Sequence, residues 1–171
     1  MDSGHELIFT APHLAEFRSL LEVVSKESDR GAVLVYASML DELLRRSIQV
    51  RLVQHKDTPK LTDGFNAPLG SFGARTLAAL ALGVISDDEY EELQLIRKIR
   101  NDFAHSMTMS FKEPSVIGRC KLLKLAIRNG EDDMENARRS FITSASALSL
   151  RFVNRAHYVA QERLKYKPWR Y

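Results

Sequence analysis

Arg100, Asn101 and His105 are the residues whose types and spacing could do chemistry, and they lie in the segment IRNDFAH at residues 99–105. Asn101 and His105 are four residues apart and share one face of a helix, whereas Arg100 is turned well away from His105. A single straight helix therefore does not gather the three side chains into a compact site. Two copies of this helix packed about a two-fold axis could bring Arg100 of one copy to His105 of the other.

The Arg-polar-x-x-x-His pattern of these residues resembles the signature of the HEPN superfamily, all-helical proteins many of which cut RNA through a dimer-shared arginine and histidine. The resemblance implies that His105 transfers a proton at a ribose hydroxyl or leaving oxygen, that Arg100 stabilises phosphate charge, and that Asn101 orients them. The alternative is structural. Arg100 would pair with an acid on the central helix, such as Asp41 or Glu42, while Asn101 and His105 would satisfy backbone groups at a helix end.

The totals of the sequence restrict the classes of protein that it could encode. With 171 residues, of which 44% are apolar, the chain has the size of one domain with a buried core. Its net charge of only +3 creates no overall attraction to nucleic acid, so any site for a polyanion has to be local. Residues 1–15 lack the features of a signal peptide, and no stretch reaches the roughly 20 apolar residues that cross a bilayer. We therefore expect a soluble, cytoplasmic protein without a membrane partner.

Cys120 is the only cysteine of the chain. A single thiol excludes an internal disulfide and a metal site built from several thiolates of one chain, which fits a reducing cytoplasm. We expect neither a metal nor a cofactor. Cys120 itself is most simply a small buried side chain.

Apolar residues that recur at steps of three and four predict helices along most of the chain. Ser71 is placed to cap the third helix and Gly83 to end it, and Ser86 with Glu89 forms a capping box for the fourth. The predicted helices are 12–28, 29–54, 74–82, 86–105, one or two short helices in 114–127, and a long final helix over 135–164. A loop is predicted at 56–73 and a turn at 129–133. The sequence thus predicts an all-α fold, a single-domain helical bundle over residues 1–171 with a long C-terminal helix.

Residues 74–100 raise the question of DNA binding, because Ala79 and Gly83 have the spacing of a helix-turn-helix. The apolar positions after Gly83 nevertheless fall one residue out of register, at Tyr90 and Leu93. The second helix also begins with five carboxylates, which the phosphates of DNA would repel. We expect these acids to stay solvated at the positive end of the helix, and we expect no direct binding to DNA. The five acids are Asp87, Asp88, Glu89, Glu91 and Glu92.

The loop at residues 65–72 could be a partner surface. Glycines and a proline constrain its backbone, while Phe65, Leu69 and Phe72 could anchor it on the bundle. A well-packed connection without a partner is the equal alternative.

A tail at residues 163–171 mixes cations with aromatic rings, a combination that can stack on bases and contact phosphates. A disordered tail is the interpretation that we favour. The residues concerned are Arg163, Lys165, Tyr166, Lys167, Trp169, Arg170 and Tyr171.

Five blocks of sequence, taken together and in order, resemble the mannitol operon repressor (MltR) family. The blocks are ESDRGA at 27–32, LDELL at 40–44, GFNAPLGSF at 64–72, ALG at 81–83 and LIRKIRNDFAH at 95–105. The resemblance runs from about residue 14 to residue 120. It implies an all-helical regulator of a sugar-alcohol operon that lacks a recognisable DNA-binding element and acts through protein contacts. The C-terminal helix and tail, at about 134–171, extend beyond the resemblance, so the target could differ.

We therefore expect a non-enzymatic regulator of transcription or sugar uptake that binds another cytoplasmic regulatory or transport protein. The expected binding surface comprises Asp41, Glu42, Arg45, Phe65, Asn66, Arg97 and Arg100. The alternative is a homodimeric, metal-independent ribonuclease that uses Arg100, Asn101 and His105, or an inactive relative that binds RNA. We rank it second because the acids leading into the motif would repel an RNA backbone unless a dimer arranged compensating cations.

Overall fold

The structure, a computed structural model, describes residues 12–128 and 133–167, and every regular element in these residues is helical. The helices are α1 (Pro12–Val24), α2 (Asp29–Arg51), α3 (Phe72–Ala81), α4 (Asp87–His105), α5 (Pro114–Lys121), α6 (Asp133–Val153) and α7 (Arg155–Gln161). A short 3-10 helix, Thr58–Leu61, interrupts the loop between α2 and α3. The predicted all-α class is confirmed. The predicted turn at 129–133 falls outside the described residues, apart from its last position.

Helix α2 is the centre of the bundle and packs against α1, α3, α4, α6 and α7. Its spacing predicts an apolar stripe, of which Leu34 and Leu52 are only partly buried. The other members of the stripe are buried, namely Val33, Ala37, Leu40, Leu44 and Ile48. Burial extends beyond that stripe to Tyr36 and Ser47, because neighbouring helices cover more than one side of α2. The Tyr36 hydroxyl lies 2.6 Å from Ser146 Oγ on α6, which gives the buried phenol a hydrogen-bond partner. No charged residue of α2 is fully buried, so the buried polar groups of this helix are hydroxyls such as those of Tyr36 and Ser47.

Two serines begin helices as predicted. Ser71 Oγ accepts a hydrogen bond from the N–H of Ala74 at 3.2 Å, and Ser86 Oγ accepts one from Glu89 at 3.3 Å. Glu89 Oε2 in turn accepts from the N–H of Ser86 at 3.1 Å, which completes the capping box. Gly83 follows α3 with a φ of +65°, the left-handed conformation expected where a helix stops.

The C-terminal helix is long but bent, and its predicted extent to residue 164 is wrong. Helix α6 ends at Val153, and α7 begins at Arg155 after the break at Asn154. The break allows α7 to turn back and pack against α2. Residues 162–167 are not helical, and the N–H of Leu164 donates to the carbonyl oxygen of Arg51 at 2.9 Å instead. The predicted tail residues Trp169, Arg170 and Tyr171 lie outside the described residues.

The five carboxylates at the start of α4 do not share one environment, and the prediction that all are solvated is wrong for Glu89 and Glu92. These two residues are 5% and 1% exposed. Glu92 accepts hydrogen bonds from the N–H groups of Lys124 and Leu125 at 2.9 and 3.1 Å, and from Ser144 Oγ at 2.5 Å. One carboxylate thereby joins α4 to the segment after α5 and to α6.

Glu89 ties the start of α4 to α7 through Arg155. Arg155 donates from Nη2 to Oε1 at 2.7 Å and from Nη1 to Oε2 at 3.1 Å. Burial disfavours the charge of Glu89, but the hydrogen bonds from Arg155 and Ser86, with the charges of Arg155 and Arg151, hold its pKa below the ordinary value. The carboxylate therefore stays ionised inside the bundle.

Helical spacing explains the inward direction of both acids. Glu89 and Glu92 continue, at three- and four-residue steps, the buried stripe formed by Ile96 and Ile99. The neighbouring Glu91 falls outside the stripe and pairs with Lys124 at the surface.

We predict that Glu92→Ala lowers the free energy of unfolding by about 3 kcal/mol, because one buried and two partly buried donors lose their acceptor together. The matched variant is Glu91→Ala, which removes a side chain that is 61% exposed. It should cost less than about 0.5 kcal/mol. Urea unfolding followed by circular dichroism measures both changes. Equal losses in the two variants would contradict the role of Glu92 as an internal link.

Candidate protein-binding site

Polar side chains of α2 form an ion-pair network centred on Glu42. Glu42 accepts hydrogen bonds from Arg45 Nε and Nη2, both at 2.7 Å, and from Arg46 Nε at 2.8 Å. Hydrogen bonds from Arg45 lower the pKa of Glu42 to about 2, against the effect of burial and with help from Arg46. Arg45 also donates from Nη1 to Asp63 Oδ1 at 3.0 Å. The network therefore ties α2 to the loop that precedes α3.

Arg75 of α3 and Asp41 of α2 form the buried part of this region. Arg75 is 9% exposed and donates from Nη1 to Asp41 Oδ2 at 2.7 Å and from Nη2 to the carbonyl oxygen of Thr62 at 3.0 Å. Asp41 Oδ1 and Arg75 Nε are buried and have no hydrogen-bond partner in the part of the chain that the structure describes. The structural alternative in which Arg100 pairs with Asp41 or Glu42 is wrong, because other arginines occupy both acids.

Sequence reasoning missed Arg75 and Asp63. Arg75 is the only charged residue of α3, whose other residues are small, apolar or threonine. A single charged residue in an otherwise uncharged helix predicts that its side chain is either exposed to solvent or paired inside the protein. Arg75 could have been identified in this way. Asp63 carried no comparable signal, since its contact with Arg45 depends on the path of the loop.

The tip of the loop presents Phe65, which is 98% exposed, so the prediction that this ring anchors the loop is wrong. Leu69 and Phe72 do pack against the core, as predicted. Gly64 and Asn66 flank Phe65 with φ angles of +104° and +60°, so the chain reverses at the tip. The N–H of Leu69 donates to a carbonyl oxygen of the 3-10 helix at 2.7 Å, which closes the loop beneath its tip. Phe65 is therefore displayed on a constrained backbone.

Two arginines of α4 bind uncharged neighbours. Arg97 donates from Nε and Nη2 to Gln94 Oε1 at 3.2 and 2.9 Å. Its guanidinium lies 3.7 Å from the position that a Cβ on Gly73 would occupy, so it borders the start of α3. Arg100 donates from Nη1 to Asn101 Oδ1 at 3.0 Å. Neither arginine forms an ion pair with a carboxylate within residues 12–128 and 133–167.

His105 is the exposed last residue of α4. Across the described residues, no hydrogen bond joins it to Arg100 or Asn101. One copy of the chain thus joins Arg100 to Asn101 and leaves His105 without a hydrogen bond to either, although the helical spacing had paired Asn101 with His105. A catalytic arrangement that uses a second copy stays a prediction.

Cys120 is buried, and burial raises the pKa of its thiol to about 12 despite the nearby charges of Arg128 and Arg119. The prediction of a small buried side chain is confirmed. Among the described residues, no group of three or more histidine, cysteine, aspartate or glutamate side chains is placed to hold a metal ion. No helix in the same ranges is long and apolar enough to cross a membrane.

We predict that Glu42→Gln lowers the free energy of unfolding by about 1 kcal/mol at neutral pH, a modest loss because a side chain that is 35% exposed has screened ion pairs. The ionised Glu42 stabilises the fold fully above its ordinary pKa of 4.5, and that stabilisation is lost as the pH falls toward about 2. The difference between wild type and variant should therefore shrink below pH 4.5.

Urea unfolding over this pH range measures the difference. Glu22→Gln serves as the control, because Glu22 is exposed and lies 4.0 Å from Arg18. A difference for Glu42→Gln that stays constant with pH would contradict the proposed ion pairs.

Comparison with known proteins bears on the fold. No protein-family model and no curated protein matches the sequence. A chain in the X-ray structure of the MtlR–HPr complex from Escherichia coli is similar in fold, with a TM-score of 0.56 and 21% sequence identity. The match covers 85% of this chain and 99% of that chain. The expected resemblance is confirmed as an MtlR-like fold, whereas the HEPN-like interpretation of Arg100 and His105 stays a prediction.

Proposed function

We propose that this protein is a non-enzymatic, cytoplasmic regulator of the mannitol operon repressor type, which acts by binding another protein and not by reading DNA. One observation carries the proposal: the fold matches 99% of a chain from the MtlR–HPr complex. HPr is therefore the first candidate partner. Because a shared fold alone leaves function open, the proposal also draws on the surface chemistry of this chain.

The proposed surface combines side chains that hold its shape with side chains that face a partner. Asp41, Glu42 and Arg45 are engaged in bonds to neighbouring arginines and to the loop, so they act as positioning residues. Phe65 and Asn66 are exposed at the loop tip. An aromatic ring on a constrained loop loses little conformational entropy on binding and can supply a large share of the binding energy. The complete set is Asp41, Glu42, Arg45, Phe65, Asn66, Arg97 and Arg100.

The start of α4 supports a role without direct DNA contact. Asp87, Asp88 and Glu91 are exposed there, and a DNA backbone would meet these carboxylates first. The repulsion of DNA phosphates is weaker than five free carboxylates would give, because Glu89 and Glu92 turn inward and Lys124 pairs with Asp88 and Glu91. It still disfavours the insertion of this helix into a groove.

We predict that the purified chain binds HPr of its own organism and leaves DNA from the corresponding operon unshifted at low salt. Phe65→Ala should weaken HPr binding by about tenfold or more, because it removes the exposed ring. Tyr166→Ala is the matched control, since Tyr166 is also aromatic and 74% exposed. Isothermal titration calorimetry and gel retardation are the measurements. Tight, salt-resistant binding to one operator would refute the proposal.

A HEPN-like ribonuclease is the alternative function, and the environment of Arg100 supports it. Arg100 is bonded to the neutral Asn101 and not to a carboxylate, so its charge remains free to attract a phosphate. A dimer would have to bring His105 of a second copy to that charge.

The alternative predicts cleavage of RNA that persists in EDTA and disappears in both Arg100→Ala and His105→Ala. Lys98→Ala and His157→Ala are matched controls, because they remove an exposed cation of the same helix and an exposed histidine elsewhere. A fluorescent RNA cleavage assay gives the readout. Full activity in His105→Ala would eliminate the proton-transfer role.

A further inference from the structure

Helix α3 has its charged residue inside and apolar residues outside. Arg75 and Thr76 are 9% and 0% exposed, whereas Leu77 is 57% exposed. The helix carries no other charged side chain. The side of this helix away from Arg75 and Thr76 is called the α3 face below. It consists of the exposed Leu77 and Ala81 and the partly buried Gly73, Ala74 and Ala78.

The buried side of α3 also holds Phe72 and Ala79, as in an ordinary surface helix. Its outer side differs, because a surface helix normally exposes polar residues there. A single exposed leucine needs no explanation by itself, so a role for this side of α3 has to be argued together with the charges beside it. The small residues around Leu77 leave room for a partner to approach the α3 backbone closely. The loop that leads into α3 adds Phe65, the most exposed of the large apolar residues in the described chain.

Positive charge borders the α3 face. Arg97 lies beside Gly73, and Gln94 and Tyr90 follow it along the same side of α4 at steps of three and four residues. Arg97 and Arg100 bind only uncharged side chains, as shown above, and Lys98 is exposed between them. Other arginines of this chain meet carboxylates, namely Arg45, Arg75, Arg119, Arg138 and Arg155. Arg30, Arg51, Arg128 and Arg163 also donate only to carbonyl or amide oxygens among the described residues. Arg97 and Arg100 differ from them in lying next to the exposed apolar side of α3, so positive charge without a carboxylate partner borders the α3 face.

We infer that the α3 face is the docking surface for a partner protein that presents apolar side chains bordered by carboxylates. The apolar part would cover Leu77, and the carboxylates would pair with Arg97 and Arg100. RNA would be attracted by Arg97 and Arg100 but would find no charge on α3 itself, so a protein with both apolar and acidic side chains matches the whole surface better. This inference rests on the proposed function, since it names the contact surface and the chemistry of the partner. It also assigns to α3 a contact that the sequence had placed on Asp41 and Glu42.

The test begins with the full chain in cells of its own organism. Leu77 is replaced by the photo-cross-linking amino acid benzoylphenylalanine, and Leu122, 64% exposed at the end of α5, is replaced in the same way as a control. The cross-linked protein is identified by mass spectrometry and purified. It is then titrated against the wild-type chain, Leu77→Glu, Arg97→Glu and Leu122→Glu at low and high salt.

We expect an adduct from position 77 that is absent from position 122, with an identified protein whose contact surface is acidic. Leu77→Glu and Arg97→Glu should each weaken binding by about tenfold or more, and Leu122→Glu should leave it unchanged. The effect of Arg97→Glu should diminish at high salt, as an ion pair requires. Thermal unfolding of Leu77→Glu should match that of the wild type, because the side chain is exposed.

The inference is overturned if position 77 gives no adduct, cross-links to a second copy of the chain or to RNA, or if Leu77→Glu binds the captured protein as well as the wild type does. Failure of the proposed function gives a different result. In that case the wild-type chain would not bind HPr, whereas the α3 face would still be tested on whichever protein is cross-linked at position 77.

Discussion

The inward direction of Arg75 is the constraint on which the candidate binding region depends. Its guanidinium connects α3 to Asp41 of α2 and to the carbonyl oxygen of Thr62 in the loop. A buried charge is tolerated only when it is paired and hydrogen-bonded. Rotation of α3 would separate Arg75 from Asp41 and leave both charges without their partner. The pair therefore fixes which residues of α3 face solvent, Leu77 among them, and it holds the loop that displays Phe65.

Buried carboxylates of α4 make the same kind of interaction with other elements. Glu89 holds α7 through Arg155, and Glu92 holds the main chain at Lys124 and Leu125. Both acids belong to the helix that also carries the uncompensated arginines. Helix α4 therefore carries charges of two kinds. Glu89, Glu92 and, near its end, Asp102, which pairs with Arg119 of α5, connect it to other elements, whereas Arg97 and Arg100 have no carboxylate partner among the described residues.

The features that were predictable from sequence are those decided by neighbours along the chain. The capping box of Ser86 and Glu89 needs only three residues, so the start of α4 was predicted correctly. The bend at Asn154 was not, because it depends on how α7 packs against α2. Burial of Glu92 depends on donors 32 to 52 residues away, and the exposure of Phe65 depends on where the loop is tied down. In the candidate site, the sequence was enough to name candidate residues, but it did not predict which residues they would bond to.

The end of α2 receives its hydrogen bonds from a distant part of the chain. Arg163 Nε donates to the carbonyl oxygen of Val50 and the N–H of Leu164 donates to that of Arg51, both at 2.9 Å, and the first bond spans 113 residues. During translation, α2 is therefore synthesised long before the residues that carry these donors. The last carbonyl groups of the nascent helix remain hydrated until translation has passed residue 164, so co-translational folding finishes the centre of the bundle late.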